Sequence, residues 1–233
     1  MSRMRFSIII PAWNEAATIE RAVRETAAVF VPIDPSAEII VVDDGSSDGT
    51  AACVEQLAAE GMPVRVIRHA SNQGKGAAVR TGALAAHGEW IVISDADISV
   101  SPDQIAQFIP ALGQADILIG SRRVNGADIV VAQSVQRDYA GRLFNLIIRW
   151  TTGVPYHDTQ CGFKVFHQRT KRLFEALETA GWAFDVELLV RARAAGLTVK
   201  EIPVIWRNGK ESRVRWSDAW KIFKSILKIR RIE

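Results

Sequence analysis

The chain has 233 residues, of which 48% are hydrophobic and 24% charged, a balance that fits one sizeable globular domain and excludes disordered, collagen-like and low-complexity classes. The longest uncharged stretch, Gln104 to Ala115, falls short of the ~18–20 residues that a bilayer-crossing helix needs. The amino-terminal Met1-Ser2-Arg3-Met4-Arg5 runs straight into an apolar segment without a cleavage-site pattern, so neither a membrane span nor a signal peptide is expected.

Ile/Val-rich runs recur in chain order at Phe6 to Pro11, Glu38 to Val42, Val64 to Arg68, Trp90 to Ser94 and Asp116 to Gly120. Between them lie helix-periodic segments at Ala16 to Val29, Thr50 to Glu60, Lys75 to Ala86 and Pro102 to Leu112. Strands that are apolar throughout, interleaved with helices, predict an α/β fold: a mainly parallel sheet covered on both faces, with ligands at the carboxyl ends of the strands. Asp48-Gly49-Thr50 offers a cap for the second helix, and Ser101-Pro102 places proline in the first turn of the fourth.

Downstream the pattern changes. Gln133 to Trp150 reads as a long amphipathic helix, with Arg137, Arg142 and Arg149 set among Tyr139, Leu143, Phe144, Leu146, Ile147 and Ile148. A short strand (Gly162 to Phe166), helices over Arg169 to Leu177 and Phe184 to Ala195, and a strand over Val199 to Trp206 follow. Ser217 to Arg231 closes the chain with Trp220, Ile222, Phe223, Ile226, Leu227 and Ile229 among lysines. No linker separates domains, so residues 1–233 are read as one domain carrying amphipathic segments at 133–153 and 217–233.

Charge is uneven along this layout. Arg207 to Glu233 holds nine Lys/Arg against three acids, a +6 tail on a body that sums to −3, out of a net +3. Such a tail fits an anionic surface or, equally, a solvated helix face. Nucleic acid is not expected as a partner, because the tail has no recognisable binding motif and no aromatic stacking platform. The two cysteines, Cys53 and Cys161, are too few for a disulfide framework and lack metal-type spacing, which predicts a reducing, cytoplasmic setting.

The strongest chemical signal is Ser94-Asp95-Ala96-Asp97 after the fourth strand. Two carboxylates one residue apart can approach one hard cation, which takes oxygen ligands and bridges phosphates; the same spacing also serves turns and helix caps. Three other strands end in comparable loops: Pro11-Ala12-Trp13-Asn14-Glu15, Asp43-Asp44-Gly45-Ser46-Ser47-Asp48-Gly49-Thr50 and Asn72-Gln73-Gly74-Lys75-Gly76. Asp43 and Asp44 can accept hydrogen bonds from a base or ribose, or form an Asx turn into a capped helix. Lys75 can neutralise phosphate, and its flanking glycines allow close backbone approach. No Gly-x-Gly-x-x-Gly follows the first strand and no Gly-x4-Gly-Lys-Ser/Thr occurs, which removes support for hydride-transfer and P-loop readings.

These four motifs, in this order, resemble those of inverting nucleotide-sugar glycosyltransferases of the GT-A fold, glycosyltransferase family 2. Gly120-Ser121-Arg122, Asp158-Thr159-Gln160-Cys161-Gly162-Phe163-Lys164 and Trp182-Ala183-Phe184-Asp185-Val186-Glu187 are similar to the polyprenyl-phosphate hexose synthases, above all the dolichyl-phosphate β-glucosyltransferase branch. The resemblance spans Arg5 to Val214. It implies a UDP- or GDP-sugar donor held by Pro11, Ala12, Asn14, Glu15, Asp43, Asp44, Gly74, Lys75, Asp95, Ala96 and Asp97. It further implies Mg²⁺ or Mn²⁺ at Asp95 and Asp97, and a polyprenyl or dolichyl phosphate acceptor. UDP-glucose is the expected donor and GDP-mannose the alternative. Arg122, Arg137 and Arg142, with Arg123 nearby, are the expected grip on the acceptor phosphate.

Asp158 and Asp185 are the carboxylates expected near the reacting centre, to orient the sugar or accept a proton, or else to act as local caps. Trp182 and Phe184 pack beside the sugar or in the core. An isoprenoid acceptor would place the amphipathic segments on the cytoplasmic face of a membrane; docking on the body or a dimer interface are the competing uses. A glycan-hydroxyl acceptor, which would need a true general base, and a non-catalytic nucleotide-sugar-binding adaptor are the rival functions.

Overall fold

The computed structural model describes residues 5–130, 135–207 and 225–229, with the side chains of 135–140 and 142 outside that description. Its amino-terminal half alternates β1 (Phe6–Ala12), α1 (Ile19–Ile33), β2 (Glu38–Asp43), α2 (Thr50–Ala59), β3 (Val64–Arg68), α3 (Lys75–Ala85) and β4 (Trp90–Ile93). Next come α4 (Ile105–Phe108) between 3-10 turns at Pro102–Gln104 and Ile109–Ala111, then β5 (Ile117–Ser121), β6 (Asp128–Ile129) and α5 (Val135–Thr152). The remaining elements are β7 (Lys164–His167), α6 (Arg172–Glu175), α7 (Phe184–Ala194), β8 (Val199–Pro203) and β9 (Ile205–Trp206). Residues 225–229 are helical; the rest of the predicted 217–233 segment lies outside the described residues.

Seven strands form one sheet in the order β3, β2, β1, β4, β7, β5, β8. All neighbours are parallel except β7, which runs antiparallel to both β4 and β5. The carboxyl ends of β3, β2, β1, β4 and β5 therefore share one edge with the amino end of β7. β6 and β9 pair in a separate two-stranded ribbon.

Alternation along each strand divides the core between the two faces. Ile8, Ile10, Ile39, Val41, Val92 and Leu118 pack with Val23 and Phe30 of α1, Val54 and Leu57 of α2, and Ile105 and Phe108. Ile9, Ile40, Val42, Ile91, Ile93 and Ile117 pack on the other side with α3, α6 and α7, joined by Ile148 of α5 and by Ile226 and Ile229. Both faces are covered, which is why these strands read as continuous apolar runs. Truncating one of them, such as Ile9, to alanine costs about 2–5 kcal/mol.

Several boundaries differ from expectation for local reasons. Helix α1 passes Val29 and continues through Pro32 to Ile33. The expected 102–112 helix shortens to one α turn between two 3-10 turns, each with a proline near its start. The expected 199–206 strand divides at Val204, and its two parts join different sheets.

Candidate active site

The loops after β1 and β2 are knitted together. Asn14 takes a left-handed φ of 52°, donates its N–H to Ser46 Oγ at 2.9 Å and accepts from the Ser47 N–H at 3.0 Å. Glu15 N–H donates to Thr50 Oγ1 at 2.8 Å, and the Glu15 carboxylate accepts from Thr18 Oγ1 at 2.6 Å. Pro11 and Ala12 are the last residues of β1 and are buried. Asp48 Oδ1 accepts from the Thr50 N–H at 3.1 Å, an Asx turn leading into α2, whose N-cap residue is Gly49 and has no side-chain cap bond.

Asp43 and Asp44 are both buried and differ in role. Asp43 Oδ1 accepts from the Ser46 N–H, three residues on, at 3.0 Å, tying down the turn after β2. Asp44 uses Oδ1 for the Gln73 N–H at 2.9 Å and Oδ2 for the Gly74 N–H at 2.8 Å, so it anchors the loop ahead of α3. His69 Nδ1 lies 2.7 Å from Asp44 Oδ1, and its Nε2 lies 2.9 Å from Thr81 Oγ1 on α3. Gly74, at φ +104°, could not carry a side chain, since a Cβ there would stand 2.5 Å from the Ala180 carbonyl oxygen.

That loop delivers Lys75 to the tip of β4, where its Nζ sits 2.6 Å from Asp95 Oδ1. Burial alone would lower the ammonium pKa, but Asp95, backed by Asp185 and Asp97, outweighs it and holds the group above its ordinary value. Burial pushes the Asp95 carboxyl up; Lys75 first, then Lys164 and Arg122, bring it below its ordinary value. Asp97 is exposed and accepts the Ser99 N–H through Oδ1 at 2.9 Å, while Ile98 takes φ 53°, an uncommon conformation for a β-branched residue. Ala96 between them is buried. Trp182 and Phe184 stand beside Lys75, with Nζ 5.2 and 6.0 Å from their ring centroids; Phe184 is also a core residue.

On the far side of the tip, Arg122 leaves the end of β5 and forms a fork with Asp158. Nε reaches Oδ2 at 2.6 Å, Nη2 reaches Oδ1 at 2.9 Å, and the Arg122 N–H adds a third bond to Oδ2 at 3.0 Å. Burial pushes the Asp158 carboxyl up, but Arg122 overrides it and holds the group below the usual carboxylate range. Both oxygens of Asp158 are engaged, so the geometry gives it the task of orienting Arg122. The guanidinium also lies 5.4 Å from the Trp206 ring centroid. A pocket lined by Asp95, Ser99, Val100, Gly162, Phe163 and Trp206 opens beside this pair.

Asp185, in the first turn of α7, lies 2.5 Å from the Nζ of Lys164. Burial raises its carboxyl pKa; Lys164 and Lys75 offset this in part, and Asp95 adds to it. Burial lifts the neighbouring Cys161 thiol to about 11, which makes it a small inert core group.

Asn14, Glu15, Asp43, Asp44, Lys75, Asp95, Asp97, Arg122, Asp158 and Asp185 thus meet at one sheet edge, although they come from loops far apart in the chain. Arg137 and Arg142 lie outside the described side chains, and Arg123 reaches α5 at Gly141. Sequence reasoning left out His69, Gly162, Lys164 and Trp206 as site residues. For Lys164 a signal existed, since it is a lone charge opening an otherwise apolar strand. His69 gave none.

The Glycosyl transferase family 2 model matches residues 7–174. Over 98% of its length the chain is 32% identical to a dolichyl-phosphate beta-glucosyltransferase of Trichomonas vaginalis, covering 71% of that relative. It is 34% identical over 92% of its length to the enzyme of the same name from Drosophila melanogaster, again covering 71%. Among solved structures, glucosyl-3-phosphoglycerate synthase from Mycobacterium tuberculosis, in complex with Mn²⁺, UDP-glucose and phosphoglyceric acid, superimposes with a TM-score of 0.71 at 20% identity, over 99% of this chain and 81% of that one. The Pyrobaculum calidifontis mannosyltransferase complex with GDP-mannose and Mn²⁺ gives 0.66 at 20% identity, over 98% and 69%. The family match over residues 7–174 and the relatives at 32–34% identity agree: the chain belongs to glycosyl transferase family 2.

Proposed function

We propose that this chain transfers glucose from UDP-glucose, with inversion, to the phosphate of a dolichyl or other polyprenyl lipid, using a divalent cation at Asp95 and Asp97. The observation that carries the reading is the alternation of charge at the sheet edge: Lys75 on Asp95, Lys164 on Asp185 and Arg122 on Asp158. The dolichyl-phosphate beta-glucosyltransferases that match nearly the whole chain support the choice of sugar and acceptor.

The donor set fits a hard cation. Asp95 and Asp97 offer carboxylate oxygens, and the described residues hold no cluster of three His, Cys, Asp or Glu that could enclose an ion. An ion bound there would draw its remaining ligands from the diphosphate and water, the habit of Mg²⁺ and Mn²⁺ at nucleotide sites. When bound, it supplies electrostatic relief for charge building on the departing diphosphate. Lys75, charged and three-quarters or more buried, adds a fixed positive charge at the same place. Asn14, Glu15 and Asp43 line the nucleoside end, and Asp44 holds the 72–74 loop in place.

Arg122, planar and fixed by Asp158 and Trp206, is pre-aligned to meet an acceptor phosphate. A phosphate oxygen is ionised at pH 7 and attacks the anomeric carbon without surrendering a proton, so orientation matters more than a base. The bond from the anomeric carbon to the donor's diphosphate oxygen breaks on the opposite face, and UDP departs.

No helix among the described residues is long and apolar enough to cross a membrane. Helix α5 instead exposes Leu143, Leu146 and Trp150 along one stripe, with Trp150 84% exposed, which supports peripheral attachment at a lipid surface. The test is a radiolabelled panel of UDP- and GDP-sugars with a short polyprenyl phosphate, scored by transfer into the organic phase. Label from UDP-glucose is expected. Label from GDP-mannose alone would replace the donor, and no lipid-linked label from any donor would overturn the reading.

A further inference from the structure

Among the described residues Lys164 is the one fully buried Lys or Arg, with 1% of its surface exposed. It opens β7 in register with Ile93 of β4 and Ile119 of β5, so it lies under the crevice in the middle of the sheet. Burying an ammonium costs several kcal/mol unless its bonds are good. Its Nζ donates to Asp185 Oδ1 at 2.5 Å and to the carbonyl oxygen of Cys161.

The Cys161 carbonyl belongs to the peptide that leads into Gly162, and Gly162 is where the Asp95 carboxylate rests. A Cβ on Gly162 would stand 1.9 Å from Asp95 Oδ2 and 2.6 Å from its Cγ. Asp95 is therefore held from two sides, by Lys75 on Oδ1 and by bare backbone under Oδ2.

We infer that Lys164 is a positioning residue: through the Cys161–Gly162 peptide it seats the Asp95 carboxylate in the orientation that receives the ion and diphosphate. This rests on the function proposed above. A counterion confined to stabilising Asp185 would explain the ion pair but would leave the bond to the Cys161 carbonyl without consequence for Asp95.

The test compares wild type with Gly162→Ala, Lys164→Met and the double variant Lys164→Met/Asp185→Leu. The double variant removes both buried charges, so it stays informative if Lys164→Met alone fails to fold. Crystal structures of the Gly162→Ala and double variants are expected to show Asp95 withdrawn from Lys75. Calorimetric titration of UDP in the presence of Mn²⁺ is expected to give affinity weakened about tenfold or more in both. An unmoved Asp95 with wild-type UDP affinity in the double variant would overturn the inference. If wild type itself bound no UDP with Mn²⁺, the proposed function would fall, while the position of Asp95 in the two variant structures would still decide the role of Lys164.

Discussion

Replacing Asp158 by asparagine separates a residue that holds Arg122 from one that removes a proton. Three hydrogen bonds end on this carboxylate, at 2.6, 2.9 and 3.0 Å, two of them on Oδ2. An asparagine oxygen placed at the Oδ2 position keeps those two and turns its NH₂ toward Nη2, donor against donor. One charge-assisted bond, worth about 1.5–3 kcal/mol, is lost; of the other two, the Nε bond weakens to charged–neutral and the backbone N–H bond to neutral–neutral. The Arg122 side chain is 23% exposed and can turn toward water, which limits the total to about 3 kcal/mol, the low end for a broken buried pair. A domain of ordinary stability remains folded at that cost.

In urea titrations Asp158→Asn should therefore unfold earlier with an unchanged m-value. In the transfer assay the KM for polyprenyl phosphate should rise about tenfold, as about 1.4 kcal/mol of Arg122 alignment is lost. kcat should fall by less than the ~10²–10⁴-fold that loss of a general base produces. Because the folded carboxyl sits below its ordinary value, its stabilisation is present above the unfolded pKa and is lost as pH falls through the folded one. The stability gap between wild type and variant should close in acid. A variant as stable as wild type with kcat reduced a thousandfold would refute this reasoning and restore Asp158 as a base.

Three further outcomes are expected. Asp97→Ala should lower turnover by about 10²–10³-fold, with a melting temperature near wild type because its side chain is exposed; full turnover in EDTA would contradict the role given to it. Asp116, on the opposite sheet edge, is held at about 2 against burial by Thr198 and Arg169, so Asp116→Ala should cost about 2 kcal/mol of stability at pH 7 and leave KM values unchanged. That contribution should vanish in wild type as pH drops from about 4 to about 2, read by thermal unfolding across that range. Leu146→Glu/Trp150→Glu should abolish flotation with anionic vesicles while preserving UDP binding, and undiminished flotation would remove α5 as the lipid contact.

The parallel half of the sheet and its acidic edge were legible because burial on both faces forces continuous Ile/Val runs, and each run ends in a polar loop. The direction of β7 was not legible: a four-residue strand carries no sign of which way it runs, and its neighbours β4 and β5 were already parallel. The pairs that define the site were hidden for a related reason. Arg122 and Asp158 are 36 residues apart, and His69 and Asp44 are 25 apart, distances over which spacing says nothing about contact. The part Asp44 plays in anchoring the loop ahead of α3 was not legible either, because its two backbone partners, at Gln73 and Gly74, arrive from another strand's loop.

The proposed chemistry depends on where the ion and the diphosphate sit. A crystal soaked with UDP and Mn²⁺, measured at a wavelength that gives manganese an anomalous signal, should show one peak within coordination distance of Asp95 and Asp97, with the diphosphate beside Lys75. A peak elsewhere, or UDP bound away from the tip of β4, would contradict it.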